Sequence, residues 1–160
     1  MGEPHVVTLR ATRAGDLDAL FGFQQHEEAV RMAAFTAPDP SDRAAFDMHW
    51  MRLLDDADVD ARTVRADGDI VGSVVRWFEG GTAEITYWVD RARWGQGIAT
   101  RAMRLFLEAL RERPVRARVA ADNAASIAVL EKLGFRQVGV DVGFANARGA
   151  EIEERLYRLD

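Results

Sequence analysis

Cysteine is absent from this chain of 160 residues. The absence excludes disulfide bridges, thiolate zinc sites and a cysteine nucleophile, and it is compatible with a reducing compartment. The three histidines, His5, His26 and His49, stand apart and lack the spacing of metal ligands. We therefore expect a cytoplasmic protein whose chemistry uses neither a thiol of its own nor a bound metal.

Long apolar runs and an excess of basic residues are also missing. No apolar run approaches the ~20 residues that cross a bilayer, and residues 1–6 lack the basic and then apolar pattern of a secretory signal. The formal net charge of −5 does not favour nucleic acid or an anionic membrane surface as a partner. The length is most simply that of one domain, residues 1–160.

The spacing of apolar residues predicts a mixed sheet with helices. Strands are predicted at residues 6–10, 61–66, 69–78, 83–89, 115–120, 138–144 and 151–159. Helices are predicted after Asp16 as a cap, at 42–54, at 98–113 until Pro114 stops it, and at 123–133 before Gly134. Because strands 83–89 and 115–120 flank one helix, they are most easily parallel through a right-handed crossover. The expected fold is α/β (α+β), with a mostly antiparallel central sheet and one parallel βαβ crossover.

A glycine-rich segment joins a predicted strand to the helix from residue 98. Its residues are Trp94-Gly95-Gln96-Gly97-Ile98-Ala99-Thr100. Glycines leave the backbone free of side chains, and the amides at a helix start point at that space with the positive end of the helix dipole behind them. The segment therefore predicts a site for a phosphate-bearing ligand.

Two common phosphate-binding motifs fit this segment poorly. A P-loop would end in Gly-Lys-Ser/Thr, which is missing here. A dinucleotide-binding fold could use Asp122 after the next strand, but Thr100 stands where the third glycine belongs and only one crossover is available. Neither a nucleotide kinase nor a nicotinamide-dependent enzyme is favoured.

A second motif, Asn123-Ala124-Ala125-Ser126-Ile127-Ala128-Val129-Leu130-Glu131-Lys132-Leu133-Gly134-Phe135, follows the second parallel strand. With the glycine segment and this element order, the chain resembles the GNAT superfamily of N-acetyltransferases over most of its length. The run Tyr87-Trp88-Val89 followed by Trp94 is similar to the branch that includes the ribosomal-protein N-terminal (alanine/serine) acetyltransferases. Trp94 replaces the arginine or glutamine of the general motif and so removes one charge contact to phosphate.

The resemblance implies a GNAT-like acyl-CoA N-acyltransferase fold with acetyl-CoA as the acyl donor. The implied cofactor contacts are Trp88, Val89, Trp94, Gly95, Gln96, Gly97, Ile98, Ala99, Thr100, Asn123 and Ser126. The Val89 amide would be the oxyanion donor at the end of the strand. Asn123 would contact the cofactor arm and can also cap its helix.

The residues that move protons are harder to assign. Relatives often carry a tyrosine at the position of Leu130, which cannot donate a proton, whereas Ser126 matches the serine proposed in the ribosomal branch. A hydroxyl is a poor acid, so hydrogen bonding to the developing thiolate is the safer role for Ser126. Glu84 is the candidate base, and the competitors are Glu28, His26, His49, Glu151, Glu153 and a water relay.

No motif in the sequence indicates which molecule accepts the acetyl group. The resemblance implies a primary amine, either a protein N-terminus or a small molecule. Trp50, Trp77, Trp88 and Trp94 could line an acceptor pocket, although Trp50 and Trp77 are better explained as core residues. The alternative function is a catalytically weak acyl-CoA-binding regulatory domain, and a homodimer is among the oligomeric states left open.

Overall fold

A seven-stranded sheet organises the computed structural model, which describes residues 5–160. The interpretation of the N-terminus as lacking a signal rests largely on residues 1–4, which lie outside the described residues. The strands are β1 Val7–Ala11, β2 Asp60–Ala66, β3 Asp69–Glu79, β4 Thr82–Val89, β5 Val115–Ala120, β6 Arg136–Ala145 and β7 Ala150–Leu159. The helices are α1 Leu17–Phe23, α2 Glu27–Ala33, α3 Arg43–Asp55, α4 Ile98–Ala109 and α5 Ala124–Lys132.

The sheet order is β1-β2-β3-β4-β5-β7-β6, and every neighbouring pair is antiparallel except β4 and β5. This confirms the predicted mixed sheet with one parallel crossover. None of the helices within residues 5–160 is long and apolar enough to cross a membrane.

Two helix predictions were wrong in detail. Helix α2 was missed because its larger apolar residues, Val30 and Met32, are only two positions apart and so show no helical period, and its cap is the side chain of His26. Helix α4 ends at Ala109 instead of residue 113. The guanidinium of Arg113 donates to the carbonyls of Leu107 and Leu110, so a side chain from beyond the helix satisfies its final carbonyls.

Asp16 stands at the N-terminal end of α1 as predicted, but its side chain does not cap that helix. Its carboxylate makes no hydrogen bond to the amides of α1; it accepts from both terminal nitrogens of Arg10, at 2.7 and 2.8 Å, from the Thr63 hydroxyl at 2.8 Å and from the Arg13 amide at 2.9 Å. The Arg10 guanidinium holds the pKa of this buried carboxyl well below its usual range. The strand β1 places Arg10 beside Asp16, and an ion pair outcompetes an exposed cap.

Both faces of the sheet are covered by helices. Helix α4 buries its apolar side, including Met103 and Phe106, against β1, β3 and β4 on one face. On the other face, Leu17 and Leu20 of α1 and Trp50 of α3 pack against Val75 of β3. The central strand β4 therefore presents alternate side chains to two different compartments.

The parallel strands β4 and β5 separate along their length. Their pairing consists of Ala83 opposite Val115 and Glu84 opposite Arg116. Beyond these pairs, β4 continues to Val89 and β5 to Ala120 without a shared register. The two strands thus open a wedge whose wide end faces the start of α4.

Candidate active site

A cavity of about 1360 Å³ occupies the wedge between β4 and β5 and reaches α3. The predicted site residues that line it are Glu84, Trp88, Val89, Trp94, Gly95, Gly97, Ile98, Ala99, Thr100, Asn123 and Ser126. Gln96 is the predicted contact that does not line it, and the buried Oε1 of Gln96 has no hydrogen-bond partner within the described residues. The residues are brought together as expected, while their individual roles stay predictions.

The glycine segment forms a backbone cradle at the start of α4. Gly95 and Gly97 have φ of +78° and +74°, the left-handed region that favours glycine, and a Cβ added at either would meet nothing within 4 Å. The first intrahelical bond of α4 runs from the Arg101 amide to the Gly97 carbonyl, at 3.2 Å. The amides of residues 98–100 precede it and so lack partners within the helix, and these residues line the cavity, which fits a diphosphate group.

The backbone of Val89 has its amide and its carbonyl on the side of β4 that faces the wedge. The amide of Asp90 donates to Val71 of β3 at 2.7 Å. Because direction alternates along an antiparallel strand, the amides of Val89 and Tyr87 face the other way, toward β5. The Val89 carbonyl accepts from the Trp94 indole at 2.9 Å, so its amide is the group left for a ligand lying in the wedge.

Trp94 anchors the glycine segment through its ring. Besides its bond to Val89, the indole lies 4.5 Å from the guanidinium of Arg91, whose Nε donates to the Glu28 carboxylate at 3.0 Å. A tryptophan at this position therefore fixes the end of β4 by a direct hydrogen bond, and it connects the segment to α2.

Asn123 and Ser126 form the second wall of the wedge. The Asn123 side chain accepts from the Ser126 amide at 3.3 Å, capping α5, and donates to the Met32 carbonyl of α2 at 3.3 Å. The Ser126 hydroxyl hydrogen-bonds the Tyr87 hydroxyl, with 2.7 Å between the oxygens. Leu130 is buried in the core and offers no polar group.

Tyr87 is a site residue that the sequence reasoning missed. It was used there only as part of a motif, although its alternation with Val89 already predicts a shared face. Burial raises the pKa of its hydroxyl, and the hydrogen bond with Ser126 opposes that rise. A polar pair therefore lies inside the mostly apolar face of α4 and α5.

Glu84 lies on the opposite face of β4. It stands directly across from Trp77 of β3, whose ring packs with the α1–α3 cluster, so its carboxylate faces that compartment. Glu84 is only 4% exposed. Burial raises the pKa of this carboxyl, and the charge of Glu79 adds to the rise, while Arg118 opposes it. A carboxylate whose pKa is raised in this way accepts a proton more readily than an exposed one.

The competing bases are less well placed, with one exception. The imidazole of His26 accepts from the Ala29 amide as a helix cap, and Glu28 is engaged by Arg91. Glu151 and Glu153 are exposed on β7 and do not line the cavity. His49 of α3 does line the cavity, and burial lowers the pKa of its imidazole.

All four tryptophans border the cavity. Trp50 is 4% exposed in the α1–α3 cluster, and Trp77 packs against that cluster, as predicted for core residues. The buried Nε1 of Trp88 has no hydrogen-bond partner within residues 5–160. The cavity is thus lined by aromatic rings together with a few polar groups.

Comparison with known proteins decides the family. A model described as "Acetyltransferase (GNAT) domain" matches residues 7–136. The chain belongs to the GNAT acetyltransferases. An uncharacterized N-acetyltransferase, p20 of Bacillus licheniformis, is 25% identical over 166 residues, which span 96% of this chain and 92% of p20.

Two solved structures superpose on nearly the whole chain. Mycobacterium smegmatis RimJ in complex with CoA-disulfide has a TM-score of 0.80 and 25% identity, covering 96% of this chain and 81% of RimJ. A ribosomal-protein-alanine N-acetyltransferase of Brucella melitensis has a TM-score of 0.79 and 23% identity, covering 95% and 98% of the two chains, and supports the fold.

The GNAT acetyltransferase is an acetyl-CoA-dependent enzyme that transfers acetyl groups to amines. The predicted family, fold, reaction and acyl donor are confirmed. The alternative of a catalytically weak acyl-CoA-binding domain is not favoured, because p20 is itself described as an N-acetyltransferase.

Proposed function

We propose that the two faces of β4 divide the reaction between them. Acetyl-CoA supplies an activated thioester when it lies in the wedge, with its diphosphate at the cradle of residues 95–100. The Val89 amide, directed into the wedge, would stabilise the negative charge that develops on the acetyl oxygen. Ser126 would donate a hydrogen bond to the departing sulfur. Glu84, on the other face, would accept a proton from the ammonium of the substrate, directly or through water, and so free the amine for attack.

The observation that carries this proposal is the position of Glu84. A carboxylate that is 4% exposed and unusually basic borders the same cavity as the Val89 amide and Ser126. An amine entering from the α1–α3 side meets Glu84 and the tryptophan rings before it reaches the wedge. Buried carboxylates with a raised pKa are typical of general bases.

We propose the α-amino group of a protein N-terminus as the acceptor. The support is the run Tyr87-Trp88-Val89 followed by Trp94, which is similar to the ribosomal-protein branch, together with the likeness of fold to the Brucella enzyme. Beyond the wedge the cavity continues to α3, which leaves room for an extended acceptor beside the cofactor arm. A cytoplasmic location would fit such a substrate and belongs to the same proposal.

Release of free CoA thiol from acetyl-CoA tests this acceptor. The chain contributes no thiol of its own, so the background is low. We expect turnover with short peptides that have a free N-terminus, and none with the same peptides blocked by a formyl group. Turnover only with small amines such as polyamines would contradict the peptide acceptor.

A further inference from the structure

The Tyr87–Ser126 pair joins two elements that are distant in the chain. Tyr87 lies on β4 and Ser126 in the first turn of α5, and their oxygens are 2.7 Å apart. The Ser126 amide is also held by Asn123, which reaches the Met32 carbonyl of α2. Ser126 is therefore fixed by two hydrogen bonds, one at its hydroxyl and one at its amide, while still lining the cavity.

The chemistry of the two hydroxyls sets the direction of their hydrogen bond. A phenol, with an ordinary pKa of about 10, is a far better donor than an alkyl hydroxyl. On this ground Tyr87 would be the donor and the Ser126 oxygen the acceptor, an arrangement that the geometry allows. The serine proton then remains free to point away from β4, into the cavity, and donation from the phenol strengthens it as a donor.

We propose that Tyr87 is a positioning residue that fixes the Ser126 hydroxyl as the hydrogen-bond donor to the CoA sulfur. Without Tyr87, the Ser126 hydroxyl could rotate to bond a backbone carbonyl three or four residues before it in the chain. The inference rests on the proposed role of Ser126. It involves no transfer of a proton between Tyr87 and Ser126, only the orientation of one hydroxyl.

The thiol of bound CoA provides a readout that does not depend on turnover. CoA labelled at the methylene carbon next to sulfur reports thiol ionisation through its chemical shift, and the protein has no cysteine to interfere. A hydrogen bond donated to the thiolate lowers the pKa of the thiol. Tyr87→Phe keeps the ring and should reduce the acid dissociation constant of bound CoA about threefold, the effect of weakening one hydrogen bond.

A double-mutant cycle makes the test specific. In the Ser126→Ala background, Tyr87→Phe should leave the CoA thiol unchanged. In the native background, Tyr87→Phe should lower kcat about fivefold, with the affinity for acetyl-CoA unchanged. Equal effects with and without Ser126, or no effect on the thiol, would overturn the inference.

The second tyrosine offers both a control and an alternative probe. Tyr157 is 1% exposed in the core, does not line the cavity, and its hydroxyl has no partner in the described part of the chain. Tyr157→Phe should therefore change neither readout. With only two tyrosines in the chain, this variant leaves Tyr87 as the sole site for fluorotyrosine. A fluorinated phenol is a stronger acid, so it should lower the pKa of the CoA thiol, opposite to Tyr87→Phe.

The outcomes separate this inference from the proposed function. If no amine is acetylated but the thiol shift still depends on Tyr87 through Ser126, the acceptor proposal fails and the positioning role stands. If peptides are acetylated but the thiol ignores Tyr87 or the fluorinated phenol, the positioning role fails and the acceptor proposal stands.

Discussion

The two sides of the cavity are built in different ways. The cofactor half consists of β4, α4, β5 and α5, which follow one another in the chain and present mainly backbone groups. The half that we propose for the acceptor is lined by α2, α3 and the connection between them, which the β6–β7 turn holds in place, and these elements meet only in the folded protein. The contrast teaches that a ligand held by backbone leaves a local sequence pattern, whereas one held by assembled side chains does not.

Side chains of the β6–β7 turn hold the acceptor half together. Asn146 donates to the Thr36 carbonyl at 2.6 Å, and Arg148 donates to the Arg31 carbonyl at 2.7 Å. Arg148 also donates two hydrogen bonds to the carboxylate of Asp122, at 2.7 and 3.0 Å. The connection after α2 is thus positioned by residues more than one hundred positions away.

Substitution at the cradle should have the largest effect. Gly97→Glu places a negative charge against the diphosphate and a side chain at φ +74°, so the affinity for CoA should fall by about 100-fold or more. The control is Gly81→Glu, which adds the same charge at φ +80° in the β3–β4 turn. Isothermal titration with CoA should separate the two. Equal losses in both variants would mean that backbone strain, and not the cradle, causes the effect.

The acceptor half should depend on a buried charge for its stability. Asp16→Asn removes the partner of Arg10 and should lower the free energy of unfolding by about 2 kcal/mol. The pKa of Asp16 is lowered in the folded protein, so this contribution is complete at neutral pH and is lost as the pH falls.

The matched control for Asp16 is its near neighbour Asp18. The Asp18 side chain is 89% exposed although it contacts Arg43 at 2.7 Å, so Asp18→Asn should change stability by less than about 0.5 kcal/mol. Urea unfolding at two pH values measures both. A loss for Asp16→Asn as small as that for Asp18→Asn would contradict the importance of the buried pair.

Loosening the β6–β7 turn should produce the smallest and most selective effect. Arg148→Gln breaks the pair with Asp122 and should raise KM for the acceptor about fivefold, with the affinity for acetyl-CoA unchanged. Arg136→Gln, at an exposed pair with Asp160, is the control. A parallel loss of acetyl-CoA affinity would show that the two halves are not separable.

Prediction from sequence succeeded where the structure is local. The glycine segment, the crossover and the Asn123 cap follow from neighbouring residues, and the structure has all three. The Tyr87–Ser126 bond could not be predicted, because it spans 39 positions and depends on how closely α5 packs on β4. The turn at Ala34, with φ +64° at a buried alanine, follows no residue preference; it is held by the Phe35 amide donating to the Ala33 carbonyl at 2.7 Å.

In this account, one face of β4 presents the Glu84 carboxylate to the acceptor as a base, and the wedge beside β4 binds acetyl-CoA. The most direct test compares the pH dependence of kcat/KM for Glu84→Gln with that of the native enzyme. The control is Glu153→Gln, at an exposed position of β7. For Glu84→Gln we predict that kcat/KM at neutral pH falls about 100-fold while the affinity for acetyl-CoA is unchanged. The pH profile should also lose the rise in kcat/KM that the ionisation of Glu84, a carboxyl of raised pKa, produces in the native enzyme. A Glu84→Gln enzyme with the native rate and the native pH profile would contradict the claim.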